Sequence, residues 1–113
     1  MNARVVAAEQ LSRFEVYYGD DLAGDDLAGF AEYLDHDGQR IFFHTEVGEQ
    51  FGGKGLASKL IRQALRETVD AGLRIVPLCP FVDSFVRKHP DDETYAAAVD
   101  PVTEAAVELV RKR

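Results

Sequence analysis

The structure of this chain follows most directly from the stretch Val47-Gly48-Glu49-Gln50-Phe51-Gly52-Gly53-Lys54-Gly55-Leu56-Ala57. Residues 40–47 include β-favouring apolar side chains, which predicts a strand before the glycines. Apolar residues recur at helical spacing after them, at Leu56, Leu60, Ile61, Ala64, Leu65 and Val69. A glycine-rich bend that enters a helix offers unpaired backbone N–H groups and the positive end of the helix dipole, and glycine lets a ligand approach closely. The stretch therefore predicts a strand–loop–helix unit that binds a phosphate-bearing ligand.

This stretch is similar to two known kinds of phosphate-binding loop. The nucleotide-hydrolysing P-loop has the pattern G-x-x-x-x-G-K-[ST], and residues 48–55 follow it until Gly55, which stands where a hydroxyl would hold magnesium. No apolar strand elsewhere in the sequence ends in an Asp suited to be a second magnesium ligand. Residues 50–55, Gln50-Phe51-Gly52-Gly53-Lys54-Gly55, instead match the pattern Q/R-x-x-G-x-G/A. That pattern is typical of GCN5-related N-acetyltransferases, which use it to hold the pyrophosphate of acetyl-CoA.

Three further motifs make this resemblance more specific. They are His44-Thr45-Glu46-Val47 before the bend, Pro77-Leu78-Cys79-Pro80-Phe81 after the next strand, and Arg87-Lys88-His89-Pro90. Together with the bend, they resemble the minimal, single-domain branch of the GCN5-related N-acetyltransferase family over residues 4–92. The resemblance implies an acyl-CoA-binding domain at residues 1–92. It also implies transfer of an acetyl group from acetyl-CoA to a primary amine of a small molecule or a protein.

The resemblance further implies which residues contact coenzyme A. Backbone N–H groups of the bend would hold the pyrophosphate, the main chain of Val47 would bond to the pantetheine amides, and Phe81 and Phe85 would line the site. The bend residues are Gln50, Phe51, Gly52, Gly53, Lys54, Gly55, Leu56 and Ala57. Lys54 either adds charge at the rim or is only a solvated lysine. Many relatives have a tyrosine near the position of Phe85 to protonate the leaving thiolate, so that proton would come here from Cys79 or water.

Three side chains are candidates for catalysis. Cys79 matches the position proposed as catalytic in the minimal family, where a thiolate would accept the acetyl group, and the alternative is a small buried apolar residue. His44 and Glu46 share a side of their strand by period-two alternation, and either could receive the proton of the amine. Both could instead fix the neighbouring backbone by hydrogen bonds. No metal site is expected, because His36 and His89 lack metal-ligand spacing.

Composition restricts the function classes. The chain has 113 residues, 46% of them hydrophobic, and a formal net charge of −7. These values predict one ordered globular domain and disfavour binding to nucleic acid or to an anionic membrane. No apolar run reaches the about 20 residues that span a bilayer, and we expect no signal peptide. A single cysteine cannot form an internal disulfide, so we expect a cytoplasmic protein. We also expect a monomer or a weak homodimer.

The order of elements predicts a mixed α/β (α+β) domain. Predicted strands are Val5–Ala8, Phe14–Tyr18, Leu27–Leu34, residues 40–47 and Leu73–Cys79, and predicted helices are Lys54–Ala71, capped by Gly72, and Val82–His89. The early strands, joined by short turns, should be antiparallel, whereas the strand–helix–strand unit implies a parallel pair. Pro77 fits the last strand if the parallel strands splay apart, as they do in the acetyltransferase fold. The prediction is a mostly antiparallel sheet with a splayed parallel pair and flanking helices.

Two segments are not explained by this interpretation, and two other classes of function remain as alternatives. A tandem acidic repeat at residues 20–29 indicates either a cation loop or a lengthened hairpin connection. Residues 93–113 contain a weakly amphipathic helix after Pro101, which we expect to pack on the domain or to form a dimer contact. The first alternative function is a module that binds coenzyme A or acyl-CoA with little or no catalysis. The second is a protein-interaction module that uses the acidic repeat and the C-terminal helix.

Overall fold

The computed structural model describes residues 2–20 and 24–113. In this part of the chain, five strands form one sheet: β1 (Asn2–Ala8), β2 (Arg13–Asp20), β3 (Gly24–His36), β4 (Gln39–Val47) and β5 (Arg74–Pro77). The α-helices described there are α1 (Leu56–Asp70), α2 (Pro80–Lys88) and α3 (Glu104–Lys112), and single 3-10 turns lie at Glu9–Leu11, Glu49–Phe51 and Ala96–Ala98. None of the described helices is long and apolar enough to cross a membrane.

The strands follow one another in chain order across the sheet. β1, β2, β3 and β4 pair with their neighbours in antiparallel fashion, and β4 pairs with β5 in parallel. The chain crosses from β4 to β5 through α1, because a parallel neighbour requires a connection that returns to the same end of the sheet. The predicted mixed α/β fold, with a mostly antiparallel sheet and one parallel pair, is confirmed.

β3 is longer than predicted because a tight turn joins it to β4. Asp37 and Gly38 have φ of 49° and 77°, and two positive φ values are what a type I′ hairpin turn requires. The ladder therefore continues to the pair His36 and Gln39, two residues beyond the predicted end of the strand at Leu34. The acidic repeat includes residues 21–23, which lie outside the described residues, and its second half belongs to β3.

The parallel pair separates after Pro77. The ladder between β4 and β5 ends at the pair Phe42 and Pro77. The N–H of Leu78 then donates to the carbonyl oxygen of Val76 at 3.0 Å, a tight turn around Pro77 that suits the fixed φ of proline. β5 ends at this turn, whereas β4 continues through residues 43–47. A gap therefore opens beside the last part of β4.

The helix boundaries differ from the predicted ones at their starts. α1 begins at Leu56 rather than Lys54, because Gly55 is left-handed with a φ of 70°. Its predicted cap is confirmed, since Gly72 has a φ of 78° and follows the last turn. α2 begins at Pro80, two residues earlier than predicted, because proline is favoured at the first position of a helix.

The two faces of the sheet differ in what covers them. α1 and α2 pack on the helix-covered face, over a core that includes Phe14, Tyr33, Phe42, Leu60, Ile61 and Ile75. α3 packs on the other face, where Ala106 contacts Ile41 and Val76. Beside α3, that face carries polar and aromatic side chains: Arg13, Tyr17, Phe30, His44 and Glu46. We call this second surface the open face.

Candidate functional site

The bend between β4 and α1 contains two left-handed glycines. Gly53 and Gly55 have φ of 77° and 70°, and a side-chain carbon at either position would meet no atom within 4 Å. Gly55 is the N-cap of α1, so no side chain at that position bonds to the first turn. The N–H of Lys59 bonds to the carbonyl oxygen of Gly55 at 3.1 Å and begins the helical pattern. The N–H groups of residues 56–58 precede that bond and are available to an anion.

The first part of the bend uses its own N–H groups. The N–H of Phe51 donates to the carbonyl oxygen of Gly48, and the N–H of Gly52 donates to that of Glu49, both at 3.0 Å. These bonds close the 3-10 turn at Glu49–Phe51. The predicted phosphate contacts from the N–H groups of Phe51 and Gly52 stay a prediction, and in this structure both donors are paired within the bend. The available donors lie at the start of α1.

A cavity lies at the bend. It has a volume of about 260 Å³ and is lined by most of residues 47–58 and by Phe81. A second cavity, of about 180 Å³, is lined by Ala57, Ser58 and Phe81 as well, and it reaches Phe85 on α2. The two cavities adjoin at these three residues, and we call them together the groove between α1 and α2. Ser58 also lines the groove but was not predicted to do so. It lies in the first turn of α1, after the motif, and no residue pattern in the sequence indicates that this position faces the groove.

The side chains predicted to bind coenzyme A take different positions around this groove. Phe51 packs edge-on against Tyr18, with ring centroids 6.2 Å apart, and the ammonium of Lys54 lies 5.3 Å from the same ring. Phe81 is 48% exposed and presents apolar surface in the groove, whereas Phe85 is buried. Phe81 is thus the aromatic side chain that a ligand could cover.

Gln50 folds back over the bend. A side-chain carbon at Gly48 would lie 2.8 Å from Oε1 of Gln50 and 3.2 Å from the ring of Phe51. The two side chains therefore fill the space above residue 48. The small residue at that position is what allows Gln50 to lie there.

At the edge of β4, some main-chain N–H and C=O groups point into the gap. The N–H of Gly48 donates to the carbonyl oxygen of Ala28 at 2.9 Å, which directs the main chain of residue 48 toward β3. Residues of an antiparallel pair alternate between bonding the neighbouring strand and pointing away from it. The N–H and C=O groups of Thr45 and Val47 therefore point toward the gap that β5 leaves. An extended ligand with amides could pair with them as an additional strand would.

Cys79 lies beside this gap but not in the strand to which it was assigned. It is the N-cap of α2, because β5 ends at the turn around Pro77. Its N–H donates to the carbonyl oxygen of Phe42 at 2.8 Å, and its thiol donates to Oγ1 of Thr45 at 3.4 Å. Both side chains are buried, and Cys79 belongs to the core of the helix-covered face. Thr45 was not predicted as a partner of Cys79, although the alternation of side chains along β4 places Thr45 on the face of the sheet opposite to that of His44.

His44 and Glu46 lie on the open face. Nε2 of His44 is 3.0 Å from Oε1 of Glu46, and the two side chains are 46% and 62% exposed. The imidazole ring also lies 6.1 Å from the ring of Phe30. The predicted sharing of one face is confirmed, with Thr45 on the other. The structure therefore brings His44 and Glu46 together and places Cys79 across the sheet from them.

Tyr95 lies away from the gap. Its hydroxyl donates to the carbonyl oxygen of His89 at 3.0 Å, and its ring packs 5.9 Å from that of Phe85. These contacts hold it near the C-terminal end of α2, whereas the gap is at the N-terminal end. Burial raises the pKa of Tyr95, which makes the release of its proton harder. Among residues 2–20 and 24–113, no three His, Cys, Asp or Glu side chains are grouped as they are around a metal ion.

A comparison with known protein families matches most of the chain. A family model described as GCN5-related N-acetyl-transferase covers residues 13–97. The matched segment contains the bend, the gap and α2, whereas β1 and α3 lie outside it. No curated protein matched the sequence.

Proposed function

Because the chain belongs to the GCN5-related N-acetyltransferase family, we propose that it transfers an acetyl group from acetyl-CoA to a primary amine of a small molecule or a protein. The observation that carries the proposal is the bend, where the N–H groups of residues 56–58 meet a cavity beside the free edge of β4. The pyrophosphate would lie at the start of α1, where these donors and the helix dipole stabilise negative charge. Lys54 would add a positive charge at the rim.

The pantetheine arm would lie in the gap between β4 and α2. The main-chain groups of Thr45 and Val47 point into this gap and would bond to its amides. Phe81 would cover apolar parts of the cofactor, since it is exposed in the groove that begins at the bend. A thioester held in this way would have its carbonyl group near the edge of β4, where a main-chain N–H can stabilise a developing negative oxygen.

The acceptor amine would reach the thioester from the open face, because α1 and α2 occupy the other side of the sheet. His44 is exposed there and would take the proton of the attacking nitrogen, since an imidazole is well suited to proton transfer at neutral pH. Glu46 would orient the ring through their 3.0 Å contact and stabilise the imidazolium that forms. His44 is thus the proposed general base and Glu46 its positioning partner.

We assign Cys79 to the departing sulfur rather than to the acetyl group. A thiol becomes a nucleophile when a base takes its proton, and the thiol of Cys79 donates to a hydroxyl, which is not a base. As an acid, Cys79 would give its proton to the thiolate as the C–S bond breaks and the C–N bond forms. Water would then return a proton to Cys79, while His44 releases the one it took from the amine.

Release of free coenzyme A from acetyl-CoA, measured with a panel of primary amines, tests the proposal. We expect amine-dependent release, and His44→Ala should lower kcat by a factor of about 10²–10⁴ without weakening coenzyme A binding in calorimetry. His36→Ala is the matched control, because His36 lies beside the hairpin turn, and it should leave kcat unchanged. Binding without amine-dependent release would favour the alternative, a coenzyme A-binding module. Absence of binding would contradict both.

A further inference from the structure

We propose that α3 forms one wall of the acceptor site and that Arg113 selects amines that carry an anionic group. This inference rests on the proposed function, because it assumes that the acceptor lies on the open face beside His44. The ligand class is a primary amine with a carboxylate or phosphate at the other end of a short chain. α3 lies outside the segment that the family model covers.

The packing of α3 places its last turn beside the proposed acceptor site. Ala106 of α3 is buried against Ile41 of β4 and Val76 of β5, and Leu109 and Val110 pack on the same cluster. The helix therefore lies over the early part of β4, on the open face. Its C-terminal end contacts Phe43, the residue before His44 in β4.

β4 contains a β-bulge between the part that α3 covers and the part that carries His44. Glu32 pairs with His44, but the next residue, Tyr33, pairs with Phe42, so Phe43 is an extra residue in the ladder. The bulge interrupts the alternation of side chains, and both Phe43 and His44 lie on the open face. Without it, successive residues would point to opposite faces.

Arg113 occupies this junction. The carbon of its guanidinium group lies 4.1 Å from the ring centroid of Phe43, and its Nη1 donates to the carbonyl oxygen of Val110. The ring and the carbonyl hold the group in place without neutralising it. Its neighbour Arg111, in contrast, is paired with Glu108 at 2.9 Å.

The charges near this junction are complementary to a ligand with two opposite charges. Among the described residues, no side-chain carboxylate of another residue forms a salt bridge with Arg113, although the formal net charge of the chain is −7. Glu46 is exposed on the same face and would attract the ammonium form of the amine. Phe43 and Glu46 are three positions apart, which corresponds to about 10 Å along a strand. An amine about five or six bonds from a carboxylate or phosphate would reach both ends.

Acetylation of matched amines tests this inference. The probes are 6-aminohexanoate, 3-aminopropyl phosphate, hexylamine and 1,6-diaminohexane. We expect a KM for the anionic amines about fivefold lower than for hexylamine, and the two anionic probes distinguish a carboxylate from a phosphate preference. Arg113→Glu should reverse the order and favour the diamine, whereas Arg111→Ala should leave the order unchanged. Equal KM values in the unmodified protein, or an unchanged order in Arg113→Glu, would overturn the inference.

A binding measurement separates this inference from the proposed function. Addition of 6-aminohexanoate should shift the NMR signals of His44 in the unmodified protein and shift them much less in Arg113→Glu. If coenzyme A is never released from acetyl-CoA, the proposed function fails, yet this Arg113-dependent binding would still support an anion-binding site of the size of such an amine. If acetylation proceeds but 6-aminohexanoate binds both proteins alike, the proposed function stands and the role of Arg113 is wrong.

Discussion

Gly53 and Gly55 adopt backbone conformations that residues with a side chain adopt only at a cost. Both have positive φ, and neither is packed against another group. Gly29 differs, because a side-chain carbon there would collide with the carbonyl oxygen of Glu46 on β4. The glycines of the bend are therefore required by conformation, whereas Gly29 is required by close packing. Only the glycines of the bend affect the direction in which the first N–H groups of α1 point.

Gly53→Val should weaken coenzyme A binding by about tenfold. A β-branched residue with φ near 77° is strained by roughly 1–2 kcal/mol, and relaxation of the bend would move the N–H groups away from the phosphates. Isothermal titration with coenzyme A measures the effect. Gly38→Val is a matched control, because Gly38 has the same φ of 77° and lies in the β3–β4 turn. Equal loss of affinity in both variants would mean that general destabilisation, not the bend, is responsible.

Cys79→Ala should retain coenzyme A binding and lose most of the turnover. The phosphate donors lie on α1, whereas the thiol is proposed to protonate the departing sulfur, a contribution of about 10²-fold or more in such steps. Calorimetry and coenzyme A release measure the two effects. Mass spectrometry of the unmodified protein after exposure to acetyl-CoA alone should show no acetyl group on Cys79. Acetylation of Cys79 in that experiment would mean that the covalent route is correct.

At the scale of elements, short irregularities decide where side chains and main-chain groups point. The bulge at Phe43 places two consecutive residues on the open face, and the turn around Pro77 ends β5 before β4 ends. The first places Phe43, which Arg113 of α3 contacts, on the same face as His44, and the second leaves the gap. Each involves a single residue that interrupts an otherwise regular ladder.

The segment before α3 is attached to the sheet through Asp100. Its carboxylate accepts hydrogen bonds from Nε2 of Gln39 at 2.8 Å and from Nε of Arg74 at 2.7 Å. Its N–H also donates to the carbonyl oxygen of Ile75 at 2.8 Å. The bonds from Gln39 and Arg74 lower the pKa of Asp100 below its ordinary value of 3.8. The carboxylate of Asp100 thus links the segment before α3 to the first residues of both parallel strands.

Asp100→Asn should lower the free energy of unfolding by about 1 kcal/mol at neutral pH. Because the folded pKa is lowered, the unfolded chain binds the proton more readily, and the stabilisation is complete above pH 3.8. It is lost as the pH falls through the folded value, so the difference between the two proteins should disappear in acid. Urea unfolding at several pH values measures this. Asp91→Asn, at an exposed position, is the control, and an equal loss there would contradict the assignment.

At the scale of the whole molecule, one sheet separates the sites proposed for the two substrates. Coenzyme A would bind along the groove between α1 and α2, and the amine would bind on the open face between the end of α3 and Glu46. In the proposal, the two substrates would meet at the gap beside the last part of β4, because the ladder with β5 ends at the pair Phe42 and Pro77. In this proposal the two substrates would lie on opposite sides of a single sheet.

Coenzyme A should raise the midpoint of thermal unfolding by about 10 °C when present at about 100 times its Kd. The proposed site would combine groups from β4, α1 and α2, so the unfolded chain would lack it and the ligand would stabilise the folded state alone. Differential scanning calorimetry measures the shift. Gly53→Val should show a smaller shift at the same ligand concentration. A shift that is equal in both proteins would place the ligand elsewhere.

Much of the fold was predictable from sequence because it rests on local patterns. The apolar spacing from Leu56 to Val69 gave α1, and Gly72 gave its end, since both are properties of a single helix. The sharing of one face by His44 and Glu46 followed from strand alternation beyond the bulge. The pairing of the N–H groups of Phe51 and Gly52 was not predictable, because a 3-10 turn has a weak sequence signal.

Local patterns were thus sufficient for the type and order of the elements, the parallel pair and the bend, because helical and strand periodicities and glycine conformations depend on neighbouring residues. Contacts between distant segments settled the rest: the side of the sheet that α3 covers, the buried bond between Cys79 and Thr45, and the separation of Cys79 from His44. Such contacts join residues far apart in the chain, and their geometry exists only once the sheet has twisted and the helices have packed on it.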